Sequence, residues 1–226
     1  QKYRADPAAE TANPEIREHP LVTLVDKRRV SEYDYILVGD RYQNQEIRQL
    51  QYPVKQLGDL CDLNLENIQP LLAFGEGSFT YIDISSVENE TGEIDYSHFI
   101  PAASAPSRAR RGVRKGDILF STVRPNMKAY GFIEREDCGS CVASTGFAVI
   151  TAKEGVSSRY VFYMLFSEPV QAQIRSMMGK GAYPSVNQKD VARIRLPLPP
   201  LPVQEEIAAE LDGYRKIVQG ARQVIR

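Results

Sequence analysis

The chain has 226 residues, 42% hydrophobic and 25% charged, with a formal net charge of −1. At about 150 residues per typical domain it holds one large or two small globular domains with a real core. No run approaches the ~20 apolar residues of a membrane helix and no charged-then-apolar leader precedes a cleavage site, so no membrane partner is expected and the expected compartment is the cytoplasm. Three cysteines, an odd number, exclude a disulfide framework.

The near-zero total hides an asymmetry. Residues 1–100 carry 9 Lys/Arg against 18 Asp/Glu, 101–195 carry 15 against 7, and 196–226 carry 4 against 4. A basic middle segment points to an anionic partner for one face, because Lys and Arg neutralising phosphates supply most nonspecific nucleic-acid affinity. The competing reading is a solvated surface with ordinary charge scatter.

In chain order, residues 1–53 are polar, with Pro7, Pro14 and Pro20, and form an expected arm or linker in which LVTLV (21–25) and YDYILV (33–38) are candidate strands or docking segments. From Val54 the texture changes. FTYIDISSV (79–87), GDILFSTVR (116–124), KAYGFIE (128–134) and CVASTGFAVIT (141–151) are β-rich runs separated by turn residues. Tyr160, Val161, Met164, Leu165 and Ile174 recur at helical spacing and predict one helix over 158–178 despite Pro169. Asn187 is placed to cap the amides of Lys189 and Asp190 and start a short helix, followed by strand-like ARIRLPL. The expected result is an α+β fold, a β-rich domain with a few helices over 54–200, followed by a long helix over 201–226.

That last helix is readable on physical grounds alone. Pro197, Pro199, Pro200 and Pro202 forbid helix upstream, Pro202 is tolerated in a first turn, and Glu205 and Glu206 suit the positive end of the helix dipole, so the helix begins near 202. Ile207, Leu211, Tyr214, Val218, Ala221 and Ile225 then recur at alternating spacings of four and three, the seam of a left-handed coiled coil. Such a seam takes a partner helix, or folds back on its own domain as an ordinary amphipathic face. The pattern still runs at Arg226 and the chain begins at Gln1, so a longer parent chain is expected.

KQLGDL (55–60), YIDISSV (81–87), SRARRGVRKGDILFSTVRPN (107–126), ASTGF (143–147), GAYPSVNQKD (181–190) and LPLPPLPVQEEI (196–207), in this order and spacing, resemble a target recognition domain and the start of the spacer helix of type I restriction-modification specificity subunits. The segment SEYDYILVGDRY (31–42) resembles the closing part of the adenine methyltransferase subunits of the same systems. Together these imply either a methyltransferase fused to its specificity domain or an independent arm. The implied partners are double-stranded DNA, an adenine methyltransferase domain or subunit, a second recognition domain through the coiled-coil helix, and, where present, a restriction subunit. S-adenosylmethionine is expected on the methyltransferase, with no cofactor in this chain.

For such a domain, phosphate contacts set register and base-edge contacts choose sequence. Arg108, Arg110, Arg111, Arg114 and Lys115 are candidate phosphate clamps just before a predicted strand. Arg124 and Asn126 flank Pro125 on a turn followed by Lys128, placed either to engage guanine and adenine or to brace the fold. The recurrence of STVRPN among family members that read different sites favours bracing over base choice. GKGAYPSVNQKD offers a second surface through Lys180, Tyr183, Ser185, Asn187 and Lys189.

Catalytic and metal constellations are not expected. No Asn/Asp-Pro-Pro-aromatic sequence and no glycine-rich cofactor fingerprint follow a strand, GKGAYPS lacks Walker spacing, and FGEGSF (74–79) lacks a third glycine on a strand-to-helix turn. Cys138 and Cys141 form a CxxC without a second pair, and only His19 and His98 could complete a metal site. Asp117 and Glu134 do not form a recognisable nuclease centre. Two functions stand, a noncatalytic DNA-specificity module and a protein-interaction module whose basic face is incidental.

Overall fold

Short β-rich runs separated by turns build the sheets here, and Pro70, Pro169 and Pro202 stand in the first turns of three helices. The computed structural model describes residues 52–89, 91–178 and 184–225. The chain divides into two units, Gln1–Leu50 and Gln51–Arg226, and the described residues belong to the second. The strand candidates at 21–25 and 33–38 lie outside the described residues.

Strands β1 (Val54–Gln56) and β2 (Cys61–Leu63) flank a single helical turn, α1 (Leu57–Leu60), and a short helix α2 (Pro70–Phe74) precedes β3 (Ser78–Ile82). Next come β4 (Phe99–Pro101), β5 (Ala109–Gly112), β6 (Ile118–Ser121), β7 (Tyr130–Phe132), β8 (Cys141–Ser144) and β9 (Phe147–Ala152). The chain closes with helices α3 (Ser158–Phe166), α4 (Glu168–Met177) and α5 (Gln188–Ala192), strand β10 (Arg195–Pro197) and the long helix α6 (Leu201–Ile225). One four-stranded sheet has the order β2-β9-β6-β7, a second has β4-β3-β8-β5, and β1 pairs with β10.

Two expected elements are each divided. The run CVASTGFAVIT is β8 and β9, which belong to different sheets: β8 lies parallel to β3 while β9 lies antiparallel to β6. Residues Thr145–Gly146 carry the chain from one sheet to the other, and the apolar content of the run, uniform on both sides of them, conceals the crossing. The helix expected over 158–178 is α3 and α4, broken at Ser167, whose backbone is extended (φ −66°, ψ 144°). Pro169 has no amide to donate and its ring would collide with the carbonyl four residues back. It is instead accommodated in the first turn of α4.

The α+β class expected from the sequence holds, and its layering follows from strand alternation. In β6, Ile118 and Phe120 join the helices through Val161, Phe162 and Ile174, while on the opposite face Leu119, with its ladder partner Val149, packs with Ile82 and Ala143 of the neighbouring sheet. On the outer face of that second sheet, Phe79, Tyr81 and Val142 form a third cluster under Phe74 of α2. The first sheet is thus buried on both faces, which explains why GDILF and GFAVI read as continuous apolar runs.

Candidate functional site

One end of the first sheet gathers the unusual backbone of the described residues. Here β2 and β6 stop and β7 and β9 start, with Ser121 opposite Phe147 and Phe120 opposite Tyr130. Asn64, Arg124 and Lys128 are the non-glycine residues with positive φ among the described residues, at 55°, 47° and 56°. All three sit at this end. Left-handed backbone at a non-glycine residue costs on the order of 1–3 kcal/mol and persists only where surrounding contacts enforce it.

The enforcing contacts can be followed across the edge. Arg124 and Lys128 bracket a 3-10 turn, Pro125–Met127. The Arg124 amide donates to Pro184 O at 2.8 Å, the Val186 amide donates to Thr122 O at 3.0 Å, and Val123 bridges Ser185. Thr122 donates through its amide (2.9 Å) and its hydroxyl (2.8 Å) to Gly146 O, and the Thr145 amide donates to Arg108 O at 2.8 Å. On the other flank Asn64 accepts from the Val149 amide at 2.9 Å and donates to Gln188 Oε1 at 3.0 Å. Arg108, the Thr122–Lys128 turn, Ser185, Asn187 and Lys189 therefore share one rim, built from both sheets and the start of α5. Arg108, Arg124, Asn126, Ser185 and Lys189 are exposed there.

The other predicted residues lie apart from it or serve other bonds. Arg114 and Lys115 follow the opposite end of β5 from Arg108, across a four-residue strand of about 13 Å. They are paired with acids, Arg114 with Glu66 at 3.9 Å and Lys115 with Glu136. Arg110 and Arg111 are half-buried along β5 itself; Arg110 Nε donates to Ser107 O at 3.2 Å, and Arg111 stands at a register shift with its Nε buried and unpartnered. Asn187 caps α5 as expected, accepting from the Lys189 (2.8 Å) and Asp190 (3.0 Å) amides. Lys180 and Tyr183 lie outside the described residues. Sequence reasoning missed Asn64, Thr122 and Gln188; an Asn directly after the short apolar strand was the available signal, since Asn tolerates left-handed turns.

The turn is anchored from below. Tyr130, fully buried and stacked on Phe120 at 4.6 Å, donates its hydroxyl to Pro125 O at 2.7 Å, and burial pushes that hydroxyl up to about 12. Tyr130→Phe removes this bond while the Lys128 amide still donates to the same carbonyl at 3.0 Å, and is expected to cost about 0.5–1.5 kcal/mol. Urea unfolding should show this as a lower midpoint with an unchanged slope.

Groups with possible chemistry elsewhere are used structurally. Cys138 and Cys141 are both buried, and the Cys138 thiol donates to Cys141 Sγ at 2.9 Å, which raises the Cys138 thiol and lowers that of Cys141. Asp117 is buried, raised by desolvation, and accepts from Thr151 Oγ1 at 2.7 Å and the Arg114 amide at 2.9 Å. Glu134 is held by Arg159 and Arg215. Among the described residues there is no group of three or more His, Cys, Asp or Glu able to hold a metal, and no helix long and apolar enough to cross a membrane.

Helix α6 meets the rest of the domain through Gln204, Ala208, Asp212 and Arg215, the first two buried and the others half-buried. The predicted seam lies on another face: Ile207 is half-buried, while Leu211, Tyr214 and Val218 are 36%, 58% and 50% exposed, with Ile217 beside them at 69%. The side chains of Ala221 and Ile225 lie outside those described.

Comparison with known proteins agrees with this architecture. The type I restriction modification DNA specificity domain model matches residues 50–225. The type I restriction enzyme HindI specificity subunit of Haemophilus influenzae is 29% identical over 105 residues, 45% of this chain and 23% of that protein. The HsdS subunit from Thermoanaerobacter tengcongensis superposes with a TM-score of 0.67 and 32% identity over 76% of this chain and 44% of that one. A chain from a structure addressing complex assembly and conformational transition of the type I R-M system gives 0.68 and 31% over the same shares. The chain spans less than half the length of these relatives. With the model running from the first strand into the last helix, the chain belongs to the type I restriction modification DNA specificity domain family.

Proposed function

We propose that this chain is a noncatalytic module that reads one half of a bipartite site in double-stranded DNA and presents it to an adenine methyltransferase domain or subunit. The observation that supports this most is the single rim, in a chain of this family, where exposed Arg108, Arg124, Asn126 and Lys189 surround the strained Arg124–Lys128 turn. Arg108 and Lys189 at its two sides suit phosphates, and Arg124 and Asn126 at its tip offer exposed side-chain donors for contact with the DNA, a role compatible with a motif shared by readers of different sites. Methyl transfer and S-adenosylmethionine belong to the partner in this scheme. The exposed seam of α6 would take the matching helix of a second recognition domain.

Fluorescence titration of duplex DNA at low salt, with four single variants, tests the placement. Arg108→Ala and Lys189→Ala should each weaken binding several-fold for all sequences and reduce the slope of log affinity against log salt by about one. Lys115→Ala and Arg135→Ala, both on cations already paired with acids, should leave affinity and slope unchanged. Equal losses in all four would place binding on diffuse charge rather than on the rim. A single module is expected to bind weakly, because linkage of two modules multiplies affinity.

A further inference from the structure

The outgoing helix is held to its domain by ions rather than by an apolar core. Gln204 is fixed near the start of α6, accepting from the Ser157 amide at 2.9 Å and donating to Pro199 O at 2.8 Å, and Ala208 adds only a methyl group. One turn later Asp212 accepts from Arg159 Nε at 2.8 and 3.1 Å and from the Tyr163 hydroxyl, both on α3. Arg159 in turn donates to Glu134 at 2.8 Å and lies over the Phe132 ring at 4.4 Å, while Arg215, next along the same face of α6, donates to Glu134 at 3.3 Å. Arg159, Asp212 and Arg215 keep side-chain exposures of only 23%, 27% and 15%, so the Arg159–Asp212 pair is shielded where ordinary surface pairs are not, while Glu134 on its outer side is 57% exposed.

We propose that Asp212 is a positioning residue that fixes the direction in which α6 leaves the domain, and through it the number of base pairs between the two half-sites. This rests on the two-module reading proposed above. The lever is long enough to matter. From Asp212 to Ile225 the helix runs about 20 Å at ~1.5 Å per residue, so a tilt of roughly 10° moves its end by about 3.4 Å, one base-pair step. The seam residues Leu211, Tyr214 and Val218 occupy a different face of α6, so the partner helix inherits the direction that Asp212 sets without touching it.

The test uses this chain assembled with a second recognition domain, and duplexes holding its selected bipartite sequence with the central gap changed one base pair at a time. Wild type should prefer one gap by about tenfold or more over its neighbours, as rigid linkage requires. Asp212→Asn, which keeps the shape and removes the charge facing Arg159, should flatten that preference to within about threefold or shift its optimum, with half-site affinity retained. Asp212→Glu should restore the preference. Glu134→Gln, which removes the negative charge shared by Arg159 and Arg215, provides a second variant with the same expected outcome. An unchanged gap profile in both variants, or an equal loss of half-site affinity, would overturn the role of Asp212. A wild-type protein indifferent to the gap would instead overturn the two-module reading itself, and the inference with it.

Discussion

Arg124→Gly is expected to keep or raise the stability of the domain while lowering its affinity for DNA by about 10- to 100-fold, the loss of a contact worth about 1–3 kcal/mol. Arg124 is held at φ 47°, where a side chain is penalised and glycine is not. The amide that bonds Pro184 O is retained in the variant, so the turn keeps its tie to the 184–187 segment. Stability and binding should therefore move in opposite directions, as at sites where strain serves function. Thermal unfolding and duplex titration on the same preparation measure both. A parallel loss of stability and affinity would mean that the arginine braces the turn and does not face the ligand, the alternative its sequence motif already allowed.

Phe162→Ala is expected to have the largest effect on stability, about 3–5 kcal/mol, the usual cost of removing a fully buried aromatic ring. The ring makes edge contacts with Phe132 at 5.6 Å and Phe166 at 5.2 Å, and Arg215 of α6 lies over it at 5.7 Å. A β-carbon at Gly92 would stand 2.7 Å from its tip, so there is no slack on that side. Loss of this hub would loosen α3 under the outgoing helix as well as the core. Urea unfolding of wild type and variant reads the change directly, and a cost below about 1 kcal/mol would show a core able to collapse around the gap.

Much of this was legible in the residues, and the parts that were not have identifiable reasons. The alternation of apolar residues and the proline cluster before 202 carried the β-rich domain and the start of the long helix, because these are local effects of period and missing amides. The Asn187 cap was legible for the same reason, its donors being two and three residues away. The crossing at Thr145–Gly146 was not, since it depends on which sheet each half of an apolar run joins. The cationic stretch over 108–115 was read as one clamp, yet a strand separates two adjacent clusters in sequence by its own length, and only Arg108 reaches the rim. Arg159 and Asp212, 53 residues apart, meet through tertiary packing that no local pattern announces.

The most direct measurement of the central claim is selection from random duplex DNA by the purified protein at low salt, with sequencing of the bound pool and salt titration of the winners against scrambled duplexes. A short motif of a few base pairs should be enriched, and it should retain an affinity advantage as salt rises while binding of both duplexes weakens along a steep slope. Binding that depends on salt but enriches no sequence would contradict target recognition and leave the rim as a basic clamp.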